Sequence, residues 1–235
     1  MALVVLSAVP VLAGTARLVQ LASAPAVTDE NRRFVESPAP VVAHVVAATV
    51  FCLGGALLLT PSLRARRPDV HAALGRVVAP AGAVAAATGL WMTHRYELPS
   101  SDNAVLGVVR DVVGVGMLAV LAAGIVAVRD RRFAAHGAWM ARAYALGLGA
   151  GTQVLTTLVW IIPFGTPTPM VRAGLMAAGW AINLTVVEVV LWRQRVRRRA
   201  RAVRRPAAAA TLARSGPRRS GPPRGTDAHT SVPAT

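Results

Sequence analysis

Apolar positions gather into six long stretches separated by short polar connections. They run roughly over residues 2–22, 41–59, 77–92, 112–128, 134–162 and 173–192. None alternates apolar and polar with a period of two, so each predicts a helix rather than a half-buried strand. Crossing a hydrocarbon core of about 30 Å takes about 20 apolar residues. The third and fourth stretches reach that length only through weakly polar flanks, back to Val70 and Ala104 respectively. Backbone groups in lipid need internal partners, which leaves helices or closed barrels. The expectation is an all-α integral membrane bundle of about six transmembrane helices. Pro10 and Pro80 are expected to break the first and third.

Charge orients this bundle. All 26 basic residues are arginine, against 10 acidic ones, for a net charge of +16. Only 15% of the 235 residues are charged, below the roughly 25% of soluble domains. Twelve arginines lie beyond residue 192, so the charge is a tail on a membrane body. The five connections hold two, four, one, three and one arginine in order. Arginine-rich connections belong on the cytoplasmic side, which puts both termini there. Residues 1–192 are expected to form the bundle. Residues 193–235 are expected to form a basic tail, helical for a turn or two and then disordered by composition. That tail reads as a positive-inside anchor or as an adhesive for anionic lipid. No aromatic is interleaved in it to stack on bases, so no nucleic-acid partner is expected. Ala22-Ser23-Ala24 resembles a signal-peptidase site, but no charged segment precedes the apolar run, so an uncleaved first helix is expected. A lone cysteine, Cys52, excludes an intramolecular disulfide and a cysteine-based zinc cluster.

Polar residues inside the membrane are expensive and are functional candidates. The densest group lies in His136–Gln153. On a helix, His136, Met140, Ala143, Tyr144, Gly147 and Gly151 share one face. The Ala143-Gly147-Gly151 ladder serves either close helix packing or a flat cofactor beside His136 and Tyr144.

The run His136-x-x-Trp139-Met140-x-Arg142-x-Tyr144-Ala145-Leu146 resembles the signature of an uncharacterised bacterial family, the predicted membrane proteins of domain of unknown function family 2306. His44 and His71-Ala72-Ala73-Leu74-Gly75-Arg76 are similar to two further features of that family. Val154 departs from it, where many members carry arginine. The resemblance covers roughly residues 30–190. It implies a multi-pass protein of the bacterial cytoplasmic (inner) membrane and no particular chemistry.

Placement supplies the chemical candidates. His44 and His94 fall toward the outer side, His71 and His136 toward the inner side. Paired histidines from facing helices are one way to hold b-type haem, so His71 and His136 are candidate axial metal ligands and His44 a possible outer ligand. Against two haems, His71 and His94 are 23 residues apart, roughly 35 Å along one helix. Arg142 and Glu188 lie about 12 and 6 Å from the inner ends of their helices, within reach of an ion pair. Arg110, if its helix starts early, reaches the bundle interior, where it would hold an anionic headgroup, a haem propionate or a quinone carbonyl. Asn183 and Gln153 are expected to make interhelical hydrogen bonds. No P-loop, H-E-x-x-H, G-x-S-x-G or Rossmann glycine pattern is present. Two readings remain open. One is a b-type haem or quinone-linked electron carrier. The other is a cofactor-free membrane protein that binds lipid headgroups or a partner protein.

Overall fold

The computed structural model describes residues 2–29 and 31–214, with side chains described for 6–29 and 31–202. The described residues are helical, with no strand among them. The helices are α1 (Ala2–Ala22), α2 (Arg32–Glu36), α3 (Pro38–Leu58), α4 (Pro61–Arg66), α5 (Pro68–Arg95), α6 (Ala104–Arg129), α7 (Phe133–Gly147), α8 (Gly149–Phe164) and α9 (Pro169–Arg214). Proline opens α3, α4, α5 and α9, where its missing N–H is one of the orphan donors anyway. Asn103 caps α6 by accepting the Leu106 N–H at 2.9 Å. That cap fixes the early start of α6 and carries Arg110 onto the helix.

Among the described residues four helices are long and apolar enough to span a membrane: α3, α5, α6 and the 169–202 part of α9. The α7–α8 pair counts as a fifth if its two halves form one span, and Leu6–Ala22 of α1 is a shorter apolar helix. The expected single fifth helix is therefore broken, with a 45° bend between its halves. The expected breaks at proline are absent, since α1 continues through Pro10 and α5 through Pro80. A proline deletes one hydrogen bond, which a long helix tolerates in a bundle. At Gly147-Leu148-Gly149 the carbonyls around the bend have other partners. Leu146 O accepts from Trp180 Nε1 at 3.2 Å, and Ala145 O accepts from Asn183 Nδ2 at 3.1 Å.

The chain divides into two units, residues 1–191 and 192–235. In the first, α3 packs chiefly on α5 and α1, and α6 packs on α5 and α7. Phe51, Cys52, Val78, Ala86, Met117, Leu121, Tyr144 and Leu148 form the centre of its core. The small-residue ladder serves packing. A Cβ on Gly151 would stand 2.5 Å from the Leu6 carbonyl oxygen of α1, and one on Gly147 would meet the Phe51 ring. The second unit is helical as far as Arg214, longer than the expected turn or two, since arginine and alanine are both strong helix formers. The expected disorder of residues 215–235 lies outside the described residues.

Candidate functional site

The connections before α3, between α5 and α6, and between α8 and α9 meet at one end of the first unit. Arg33 donates Nη1 to the Glu97 carbonyl at 3.3 Å, and Tyr96 donates its hydroxyl to the Ser37 carbonyl at 2.6 Å. Asp102 accepts from Arg172 Nε on one oxygen and from Arg110 Nη1 on the other, both at 2.8 Å. Its side chain is 2% exposed. Burial alone would raise the Asp102 pKa. The two arginines outweigh that and hold it below the usual carboxylate range. Burial lowers the Arg33 pKa from its ordinary value, with Arg17 and Arg110 adding to the effect and Asp102 opposing it.

Beneath this charged layer lies a cavity of about 400 Å³. Arg33, Arg110, Arg172 and Asp102 are its charged lining residues. Its deeper wall is mostly apolar, with Phe51, Ala86, Met117 and Leu146 among the residues there, and Trp180 and Gln153 from the α8–α9 side. Met117 stands seven residues along α6 from Arg110, so the cavity reaches roughly 10 Å below the arginines. His44 also lines it. Its Nδ1 lies 2.9 Å from the Ala85 carbonyl oxygen, which can only accept. Nδ1 therefore carries a proton, and in the neutral imidazole Nε2 keeps a lone pair.

The six residues singled out from the sequence separate into four places. His44 and Arg110 share the cavity. His71 and His136 lie close enough to interact electrostatically, with Arg64 also near His71. His136 Nδ1 donates to the Gly124 carbonyl at 2.9 Å, and His71 Nδ1 is buried with no hydrogen-bond partner. Neither of these two histidines lines the cavity. Arg142 and Glu188 form a two-pronged ion pair at 2.5 and 2.9 Å, with the Arg142 guanidinium over the Trp139 ring. Tyr144 is buried and does not itself line the cavity, donating to the Cys52 carbonyl at 3.0 Å and bonded to Ser7 of α1 at 2.9 Å. His94 is engaged by Asp111 at 2.8 Å, and His44 by the Ala85 carbonyl. Gln153 and Asn183 make the expected interhelical bonds, to Met176 O and Ala145 O. No group of three or more His, Cys, Asp or Glu placed to hold a metal ion occurs among the described residues.

Sequence reasoning missed Asp102, Arg33 and Arg172 as site residues. Their signal was topological: alternate crossings put the first, third and fifth connections at one end. Residues 41–191 match the family described as predicted membrane protein (DUF2306). No curated protein and no solved structure matches the chain.

Proposed function

The chain belongs to the DUF2306 family of predicted membrane proteins, and we propose that it binds an amphiphile with an acidic head in this cavity. The observation that carries the reading is the lining: three arginines and one carboxylate at one end of an otherwise largely apolar space. Asp102 is the one carboxylate among the lining residues, while Asp29 and Glu36 pair with Arg32 and Asp111 is bonded to His94. A carboxylate or phosphate head would take charge-assisted bonds from the arginines. Its chain would lie among Phe51, Ala86, Met117 and Leu146. His44 Nε2 would accept from a hydroxyl on the ligand. By the arginine count, the mouth faces the outer side of the membrane and both termini the cytoplasm. The exposed arginines at 193–201 would adhere to anionic lipid on the cytoplasmic side.

Trp180 in the cavity wall supplies the readout. A doxyl-labelled stearate should quench its fluorescence and bind about tenfold tighter than its uncharged methyl ester, the ratio of one charge-assisted bond. Trp180→Phe should remove the saturable part of the quenching, the other four tryptophans giving the remainder. Equal affinity of acid and ester would overturn the acidic-head reading.

A second reading, a b-type haem or quinone-linked electron carrier, is favoured by the orientation of His136. An imidazole whose Nδ1–H rests on a backbone carbonyl presents Nε2 as a ligand, and His71 from α5 lies close by. Haem there would supply one-electron transfer. Protein made with ample haem should then show a Soret band that His71→Ala and His136→Ala abolish and His94→Ala leaves intact. Colourless, folded protein would remove this reading. A short-chain quinone that quenches Trp180 better than the stearate would instead favour quinone in the cavity.

A further inference from the structure

The mouth of the cavity is spanned by one carboxylate. Asp102 belongs to the 96–103 connection and engages α6 through Arg110 and α9 through Arg172, and all three side chains line the cavity. The same connection is tied to the α2–α3 segment by the Arg33 bond to Glu97 O and the Tyr96 bond to Ser37 O. Apart from Asp102 itself, those ties are hydrogen bonds to backbone carbonyls, which leave no other carboxylate on the cavity lining. A ligand carboxylate or phosphate uses the same guanidinium donors that Asp102 uses, in the same charge-assisted geometry. A ligand head that pairs with Arg110 Nη1 and Arg172 Nε takes the two donors that Asp102 now uses, and so displaces it.

We infer that Asp102 is an internal stand-in for the acidic head of the ligand, a clasp that holds the 96–103 connection over the cavity until an incoming head takes over Arg110 and Arg172. The inference rests on the acidic-amphiphile reading of the cavity and adds a mechanism of entry to it. On binding, the two arginines exchange one carboxylate for another, and Asp102 moves into water, where a lone carboxylate is well solvated. The exchange is near neutral in charge pairing, so the apolar chain supplies the net drive. Between its anchors at Tyr96, Glu97 O and Asn103, the connection has few other bonds. Its internal backbone bond is Asp102 N to Pro99 O at 2.8 Å, and Glu97, Leu98, Ser100 and Ser101 are exposed.

Hydrogen exchange on the full-length protein tests this directly. Stearate, and separately a long-chain alkyl phosphate, should speed exchange of the amides in 96–103 several-fold while Trp180 quenching reports binding. Asp102→Asn should show fast exchange in that connection without ligand, with little further change on adding it. Slowed or unaltered exchange in 96–103 at ligand concentrations that saturate the quenching would overturn the clasp and leave the binding reading intact. Absence of quenching would overturn the binding reading and the clasp with it. Equal acceleration by the methyl ester would also overturn the clasp, since the ester has no charge to offer the arginines.

Discussion

The two ends of the first unit treat arginine in opposite ways. At the mouth end, Arg110 and Arg172 share a carboxylate that is almost wholly buried, and Arg33 and Arg17 both lie against the face of Phe34. At the other end Arg129, Arg131 and Arg132 are exposed, and the Asp130 partner of Arg132 is half open. Desolvation makes the difference. An open pair gains little because water already serves each charge. A buried carboxylate with two arginines is costly to leave half made, so its removal is felt by everything that it ties together.

Removing the clasp should have the largest effect. Asp102→Ala leaves two guanidinium groups facing each other and should destabilise the bundle by about 3 kcal/mol, read by denaturant titration in detergent micelles. Acid should do the same to the unaltered protein. The Asp102 carboxyl is held below the usual carboxylate range, so its contribution is complete above about pH 4 and is lost as the pH falls through its lowered value in the folded protein. Thermal stability should therefore drop below about pH 4, and Asp102→Asn should flatten that drop. Next comes Arg142→Gln, which breaks a two-pronged pair near the inner ends of its helices. It should cost about 1 kcal/mol in the same titration. A cost equal to that of Asp102→Ala would erase the contrast. Arg132→Ala should have the smallest effect, under about 0.5 kcal/mol, and a larger loss would mean that the far end is not solvated as described.

What the sequence alone reveals follows the range of the interaction. The early start of α6 is legible because Asn103 caps locally and Ala104 begins the run. The Arg142–Glu188 pair is legible because helix rise turns residue number into depth. The partners of His44 and His136 are not, because they are the backbone carbonyls of Ala85 and Gly124, and a carbonyl has no letter of its own in the sequence. The bend at Leu148 is hidden for the same reason: Trp180 and Asn183 bond to Leu146 and Ala145 carbonyls across more than thirty positions. Asp102 is one acid in a short connection, and its weight comes from Arg110 and Arg172, the latter 70 residues away.

The hydrogen bond between Ser7 and Tyr144 bears on how the protein is made. The two residues are 137 positions apart, and Gly151, the seat for the Leu6 backbone, comes later still. At ribosomal speeds of about 5–20 residues per second, α1 leaves the ribosome on the order of ten seconds before the α7–α8 part of its seat exists. Through that interval the Ser7 hydroxyl is without Tyr144 in particular. A single hydroxyl can wait in that way by bonding back to the preceding turn. The first helix can thus pack on α3 soon after that helix is made, while its contacts with α7 and α8 close only when those helices arrive.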